Sequence, residues 1–291
     1  QHQYPINTPS TIPTEHCNIC TLPMPPFLPT VASYGLLWHL PAVASYGLLW
    51  HLLFQLSRLL ISPYLLGRYS HVYAQLSNGN TSFWNASIVS TVHAIVLSYL
   101  ALRAAIDGEF WHSWPHLSLQ RTSPQSHHML EIMTGYMVAD LLAVLYYRKE
   151  APWNKGLVFT VLHHSSVIVV NIFLMAGDFG HSWAMIGATL ELTTPLVNNR
   201  WFLATAQEQH TALYLCNGVG LVLVWFVVRI VVAGPGSLYP LWLNEEDMPV
   251  SVKITFWLTY GLLYPLQVVW FRKLVNGALK ALRTAGGKKD C

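Results

Sequence analysis

Charge is scarce in this chain. Only 10% of its 291 residues are Asp, Glu, Lys or Arg, and 53% are hydrophobic. Soluble domains carry about 25% charged residues, so an ordinary soluble domain is excluded. The net charge of +3 is too small for an electrostatic footprint on nucleic acid, and zinc-finger and RNA-binding signatures are lacking. Nucleic acid is therefore not an expected partner. Cysteine is scarce too: four residues imply no disulfide framework. Cys17-Asn-Ile-Cys20 matches a CxxC pattern but lacks the second pair a zinc site needs, which leaves at most a casual disulfide. Lys and Arg are absent from residues 1–50. The chain opens on Gln1 and not Met, which leaves room for a removed signal segment.

What is abundant is apolar and aromatic. Twelve Trp and fourteen Tyr suit a protein with many membrane–water interfaces, where such rings collect. Residues 1–30 are Pro-rich and polar and read as disordered. A tandem copy follows, Pro29-TVASYGLLWHL and then Pro41-AVASYGLLWHL. A repeat this short is no solenoid; it reads as a recent duplication or an error in the gene model. Residues 1–41 are thus taken as an N-terminal extension, 42–280 as a membrane domain and 281–291 as a basic tail.

Seven apolar segments are expected as helices: 42–62, 86–106, 129–147, 157–176, 182–203, 211–233 and 252–272. A bilayer takes roughly 20 apolar residues as helix, and barrel strands would be short and alternating. The fold class expected is an all-α, multi-pass transmembrane bundle of about seven helices. Basic residues near the C-terminus (Arg272, Lys273, Lys280, Arg283) place the tail in the cytosol by the positive-inside rule. Counting back puts Arg148, Lys149 and Lys155 in the cytosol, with Asp107–His128 and Glu245-Glu246-Asp247 in the lumen. The sequons at Asn80 and Asn85 then face the cytosol and should stay unglycosylated. The terminal Lys288-Lys289-Asp290-Cys291 resembles a dilysine signal for return to the endoplasmic reticulum.

Within the apolar runs lie groups that are costly at membrane depth. Such residues generally face a bundle interior and serve a function. His163-His164 stand together in one run, pointing about 100° apart, so they do not easily grip one atom. One should face a cavity while the other bonds a neighbouring helix, with Asn171 on roughly the first one's side. Tyr136 and Asp140 share a helix face. His93 follows Ser90 and Thr91. Glu191, Thr194 and Asn198 fall on one helical stripe, and Pro195 removes the amide that would bond the Glu191 carbonyl, freeing it for a ligand or partner. Asn217 and Thr194 are each readable as interhelical glue, and Arg229 is near enough to a helix end to snorkel. Arg200 and Trp201 should mark an interface.

Together, His93, Tyr136, Asp140, His163, His164, Glu191, Thr194 and Asn198 are expected to line one polar cavity. A histidine beside a carboxylate could be a general base or an acyl-accepting nucleophile, with His163, His164 and Asp140 as the catalytic candidates. Two histidines and a carboxylate could hold non-haem iron, but an adjacent pair has poor geometry for it, so no metal and no cofactor are expected. The third possibility is a pocket that binds a lipid without chemistry. An ion pathway is weaker, because no polar entry route is visible.

The stretches WNASIVSTVHA (84–94), GYMVAD (135–140), HH (163–164), LELTTPLVNNRWF (190–202) and NGVGLVLVWFVVRI (217–230), in this order, resemble the TLC domain, named for the TRAM, LAG and CLN proteins. The resemblance covers about residues 42–280. It implies a multi-pass helical protein of the endoplasmic reticulum membrane, tied to lipid synthesis, trafficking or homeostasis. The family's ceramide synthases join a fatty acyl-CoA to a sphingoid base, using a paired histidine like His163-His164 and later a His-Asp and a further Asp. Here Leu190–Asn199 lacks that histidine and both acids, and a homeobox-like segment is absent. The resemblance thus implies the fold and a lipid context more strongly than acyl transfer. The expected role is membrane lipid homeostasis through a cavity that takes a lipid or acyl chain, with membrane lipids or acyl chains as partners. The alternative is an acyltransferase.

Overall fold

A computed structural model describes residues 29–106, 122–177, 179–243 and 250–286. The expected disordered N-terminus with its CxxC, most of the 107–128 loop, the Glu245-Glu246-Asp247 loop and the dilysine end lie outside the described residues. The described elements are all helical: α1 (Pro29–Leu56), α2 (Tyr69–Ala74), α3 (Asn78–Ile106), α4 (Pro124–Tyr147), α5 (Leu157–Gly177), α6 (His181–Thr189), α7 (Thr194–Thr205), α8 (Ala212–Trp225), α9 (Pro235–Leu243) and α10 (Val250–Gly286). Five stretches are long and apolar enough to cross a membrane: Asn78–Arg103, Pro124–Tyr147, Leu157–Gly177, Ala212–Tyr239 and Lys253–Lys280. The expected spans 42–62 and 182–203 are helical but fall outside that set. The second is too polar and is broken by a 3-10 turn, Leu190–Thr193. The first passes at Ser57 into a π-helical run, Ser57–Leu65, that contains Pro63.

Local chemistry sets the helix ends. Ser123 caps α4: its hydroxyl accepts from the Ser126 amide, the Ser126 hydroxyl accepts from the Ser123 amide, and Pro124 opens the helix where no amide is needed. Thr211 caps α8 in the same way, through the Tyr214 amide.

The core gathers α1, α3, α4, α5 and α6 around Trp50, Leu97, Met129, Leu130, Tyr136 and Met175. Lipid is as apolar as leucine, so close packing and hydrogen bonds, more than burial, drive helices together in a bilayer. Trp50 meets His93 and Tyr136 edge to face, at centroid distances of 5.4 and 5.8 Å. Such aromatic pairs contribute about 0.5–1.5 kcal/mol each.

The tandem repeat is helical, and its two copies face different ways. They are offset from Pro29 to Pro41, and a helix of 3.6 residues per turn leaves that offset about a third of a turn out of register. Trp38 is therefore 82% exposed while its counterpart Trp50 is 6% exposed in the core. His39 bonds Glu131 at 2.7 Å, whereas His51 bonds Gln55 of its own helix.

Asn85 anchors the π-helical run to α3. Its Oδ1 accepts from Ser57 and Ser62 at 2.8 and 2.7 Å, and its amide donates to the Tyr73 hydroxyl and the Thr81 carbonyl. The side chain is fully buried. The folded protein thus offers no free Asn85 amide to a glycosyl transferase. Expression in cells with and without endoglycosidase treatment should show no mobility shift from Asn85; a shift that disappears in Asn85→Gln would reverse the charge-based orientation.

Candidate functional site

Successive residues turn a helix by about 100°, and on α5 this drives the two histidines apart. Their rings lie 5.5 Å apart with planes at 88°. His164 turns to α4, where its Nε2 lies 2.8 Å from Asp140 Oδ2. Its Nδ1 donates to the Thr160 carbonyl at 2.8 Å. A carbonyl only accepts, so Nδ1 carries a hydrogen. The contact with Asp140 then holds one shared proton, on Nε2 or on the carboxyl group.

Across the bundle, the Asn198 amide donates to the Ser90 and Thr91 hydroxyls at 3.3 and 2.9 Å and to the Ser87 carbonyl at 2.9 Å, which ties α7 to α3. Ser90, Tyr136, Asp140, Thr160, Asn198 and Lys155 line a small cavity of about 140 Å³.

His163 faces a second, larger chamber of about 210 Å³. Its walls are mostly apolar side chains of α5, α6 and α10, among them Val167, Leu174, Ile186 and Leu263. His163, Glu191, Arg229 and Gln267 form one polar region of the lining, and Asn171 also faces in. The His163 ring rests edge-on toward Trp270 at 6.4 Å, and its Nδ1 has no hydrogen-bond partner.

The expected single cavity is thus two. Asp140, Tyr136 and Asn198 line the small one, and His163 and Glu191 line the large one. His164 makes the contact with Asp140. His93 lines neither. It is fully buried, stacked on Tyr136 at 3.7 Å and 13°, with both ring nitrogens unpartnered. Thr194 donates to Glu191 at 2.7 Å, while Asn198 turns away to α3, so the expected stripe is split. The 3-10 turn also takes up the Glu191 carbonyl, which accepts from the Thr194 amide. The expectation of a free carbonyl there fails because the tighter turn substitutes a three-residue bond for the one Pro195 removes.

Arg229 does not snorkel. It is 7% exposed, within a π-helical run, Phe226–Val232, a geometry frequent at functional sites. Its Nε donates to Thr193 at 2.7 Å and its Nη1 to Gln267 at 2.9 Å, with the guanidinium over the Trp225 ring at 4.5 Å. Its charge acts on Glu191 across the chamber wall. Asn217 is glue, as expected: it bonds Asn199 and the Leu196 carbonyl, both at 2.9 Å. Arg200 lies over the Tyr214 ring at 4.2 Å, and Trp201 packs on Phe83 at 4.8 Å.

The TLC domain matches residues 83–276, about two thirds of the chain, from within α3 to within α10. The chain belongs to the TLC-domain family. Among its relatives, TLC domain-containing protein 4-B of Danio rerio is 26% identical over 81% of this chain and 90% of that protein. TLC domain-containing protein 4 of Homo sapiens is 24% identical over 79% and 86%. Both relatives are named as TLC domain-containing proteins of type 4. A yeast relative, topoisomerase I damage affected protein 4 of Saccharomyces cerevisiae, is 27% identical over 58% of this chain and 61% of its own length. No solved structure matches the chain.

This TLC-domain protein also carries a polar cluster that sequence reasoning passed over. His39, stacked on His127 at 5.0 Å, bonds Glu131, which lies 3.7 Å from His128. His181 bonds Ser126 at 2.7 Å. The signal available was the second histidine pair, His127-His128, at the start of α4. Among the described residues no group of three or more His, Cys, Asp or Glu has the arrangement of a metal site.

Proposed function

We propose that this protein binds an acyl lipid in the α5–α6–α10 chamber and acts in membrane lipid homeostasis at the endoplasmic reticulum, with its C-terminus in the cytosol. The observation that carries the reading is the chamber itself: about 210 Å³ walled by apolar side chains, with His163, Glu191, Arg229 and Gln267 grouped on its lining. Apolar walls with a few placed polar groups are the usual build of a small-molecule site. An acyl tail matches the walls, and a carbonyl or carboxyl head matches the donors of Arg229 and Gln267. Family membership supports a multi-pass membrane setting. The charge distribution supports the orientation.

A second reading, acyl transfer, has one observation in its favour. His163 faces the chamber while the adjacent His164 shares a proton with Asp140 at 2.8 Å, so a base lies next to the lipid site. Purified protein in nanodiscs should retain acyl lipid and show no acyl-CoA turnover. His163→Ala should reduce lipid retention severalfold, and His164→Ala should leave it near wild type. Turnover by the wild type that is lost in well-folded His163→Ala or His164→Ala would replace lipid binding by acyl transfer.

A further inference from the structure

The chamber between α5, α6 and α10 carries one buried charge of each sign. Among the described residues that line it, Glu191 is the sole acid and Arg229 the sole base apart from His163. A guanidinium stays protonated in proteins, and a buried charge is tolerated when it is paired and hydrogen-bonded. Glu191 is the acid whose field reaches Arg229, and Arg229 is the main cation acting on Glu191. Imidazole is neutral above its ordinary pKa of about 6.5, so above that pH the charges on the lining sum to zero.

The guanidinium still has hydrogen bonds to give. Its Nε serves Thr193 and its Nη1 serves Gln267, which leaves the N–H groups of Nη2. His163 Nδ1 is sealed from water without a partner, and Nη2 is not among the atoms in that state. Arg229 keeps 7% of its surface exposed and lines this chamber. A ligand head inside can therefore accept from it.

The charge already present limits what that head can carry. A carboxylate would leave the chamber with an excess negative charge among apolar walls such as Val167, Leu174, Ile186 and Leu263. In such surroundings an unpaired charge costs far more than a neutral oxygen. Arg229 does not offset it, because its field is already spent on Glu191. An ester, amide or alcohol oxygen accepts the same N–H and leaves the sum at zero.

We propose that this chamber takes acyl lipids with an uncharged head, an ester, amide or alcohol, and turns away the free carboxylate, because Glu191 already balances Arg229. This rests on the reading of the chamber as an acyl-lipid site.

The test is a competition between two heads of nearly equal shape. Purified protein in phosphatidylcholine nanodiscs is equilibrated with equal amounts of oleamide and oleic acid at about pH 9, above the pKa of a carboxylic acid and of imidazole. The retained lipids are measured by mass spectrometry against empty nanodiscs. The expected result is about tenfold enrichment of oleamide, equivalent to about 1.4 kcal/mol. Glu191→Gln keeps the side-chain shape and leaves Arg229 unbalanced, so the preference should reverse toward oleate severalfold. Gln267→Glu keeps an acceptor for Arg229 and adds a negative charge, so the preference for oleamide should rise severalfold. The two variants move the preference in opposite directions, which altered packing would not do, and either one decides if the other does not fold. Equal retention of both lipids by the wild type, or more oleate than oleamide, overturns the proposal and leaves the acyl-lipid reading intact. Retention of neither above the empty nanodisc overturns both. A preference for oleamide that neither variant shifts in its stated direction overturns the assignment to charge balance.

Discussion

Replacing Arg229 by Met is expected to destabilise the protein by about 3 kcal/mol, the upper end of the cost of leaving buried hydrogen-bonding groups unsatisfied, more for charged ones. The guanidinium is 7% exposed and serves three partners: Thr193, Gln267 and the face of Trp225. It is also the main positive charge acting on Glu191. Met fills the volume but leaves the Gln267 and Thr193 oxygens short of a donor and the Glu191 carboxylate without compensation. The Arg229→Met/Glu191→Gln double variant should be more stable than the sum of the two single losses allows, by about 0.5–3 kcal/mol of coupling. Melting of the four proteins in one detergent gives the cycle. Strictly additive losses would show that the two side chains act independently, and that the chamber's polar lining is not an electrostatic unit.

The second large effect is expected at a residue with no functional group. A Cβ built on Gly135 of α4 comes within 2.7 Å of the Val43 carbonyl oxygen, 2.7 Å of Tyr46 Cβ and 2.9 Å of the Gly47 amide nitrogen, all on α1. Two of the three are backbone atoms and cannot rotate aside. Gly135→Val must therefore push α1 away from α4 and disturb Trp50, Tyr136 and His93, which meet at that interface. Overpacking generally costs about 1–3 kcal/mol, and the rigid neighbours place this case at the top of that range. Gly220→Ala is the control, because a Cβ there meets nothing within 4 Å. Gain of helix propensity alone should make it neutral or slightly stabilising. If Gly135→Val melts with the wild type in the same detergent, the close approach of α1 and α4 does not exist in the membrane protein.

The residues that sequence placed well are those whose position follows from one helix. Run length marks α3, α4, α5, the stretch from α8 into α9, and α10, because a bilayer demands a fixed length of apolar helix. The 100° step separates His163 from His164, and the four-residue spacing brings Tyr136 to Asp140; both follow from helical geometry before any packing. Pro195 announced a disturbed turn, although not that a 3-10 bond would absorb the Glu191 carbonyl.

Tertiary structure alone decided which faces meet. Asn198 finds Ser90 and Thr91 more than a hundred positions away, and Arg229 finds Gln267. The division into two chambers, and the choice of Trp50 over the identical Trp38 for the core, were likewise invisible. In a soluble helix the apolar stripe marks the buried face. In a bilayer the lipid-facing side is equally apolar: Leu48, Leu49 and Leu52 are exposed while Leu97 is fully buried, and composition does not tell them apart. Only contacts between distant segments break that symmetry, so the chain's own letters set its helices and its costly polar groups, and packing set what those groups face.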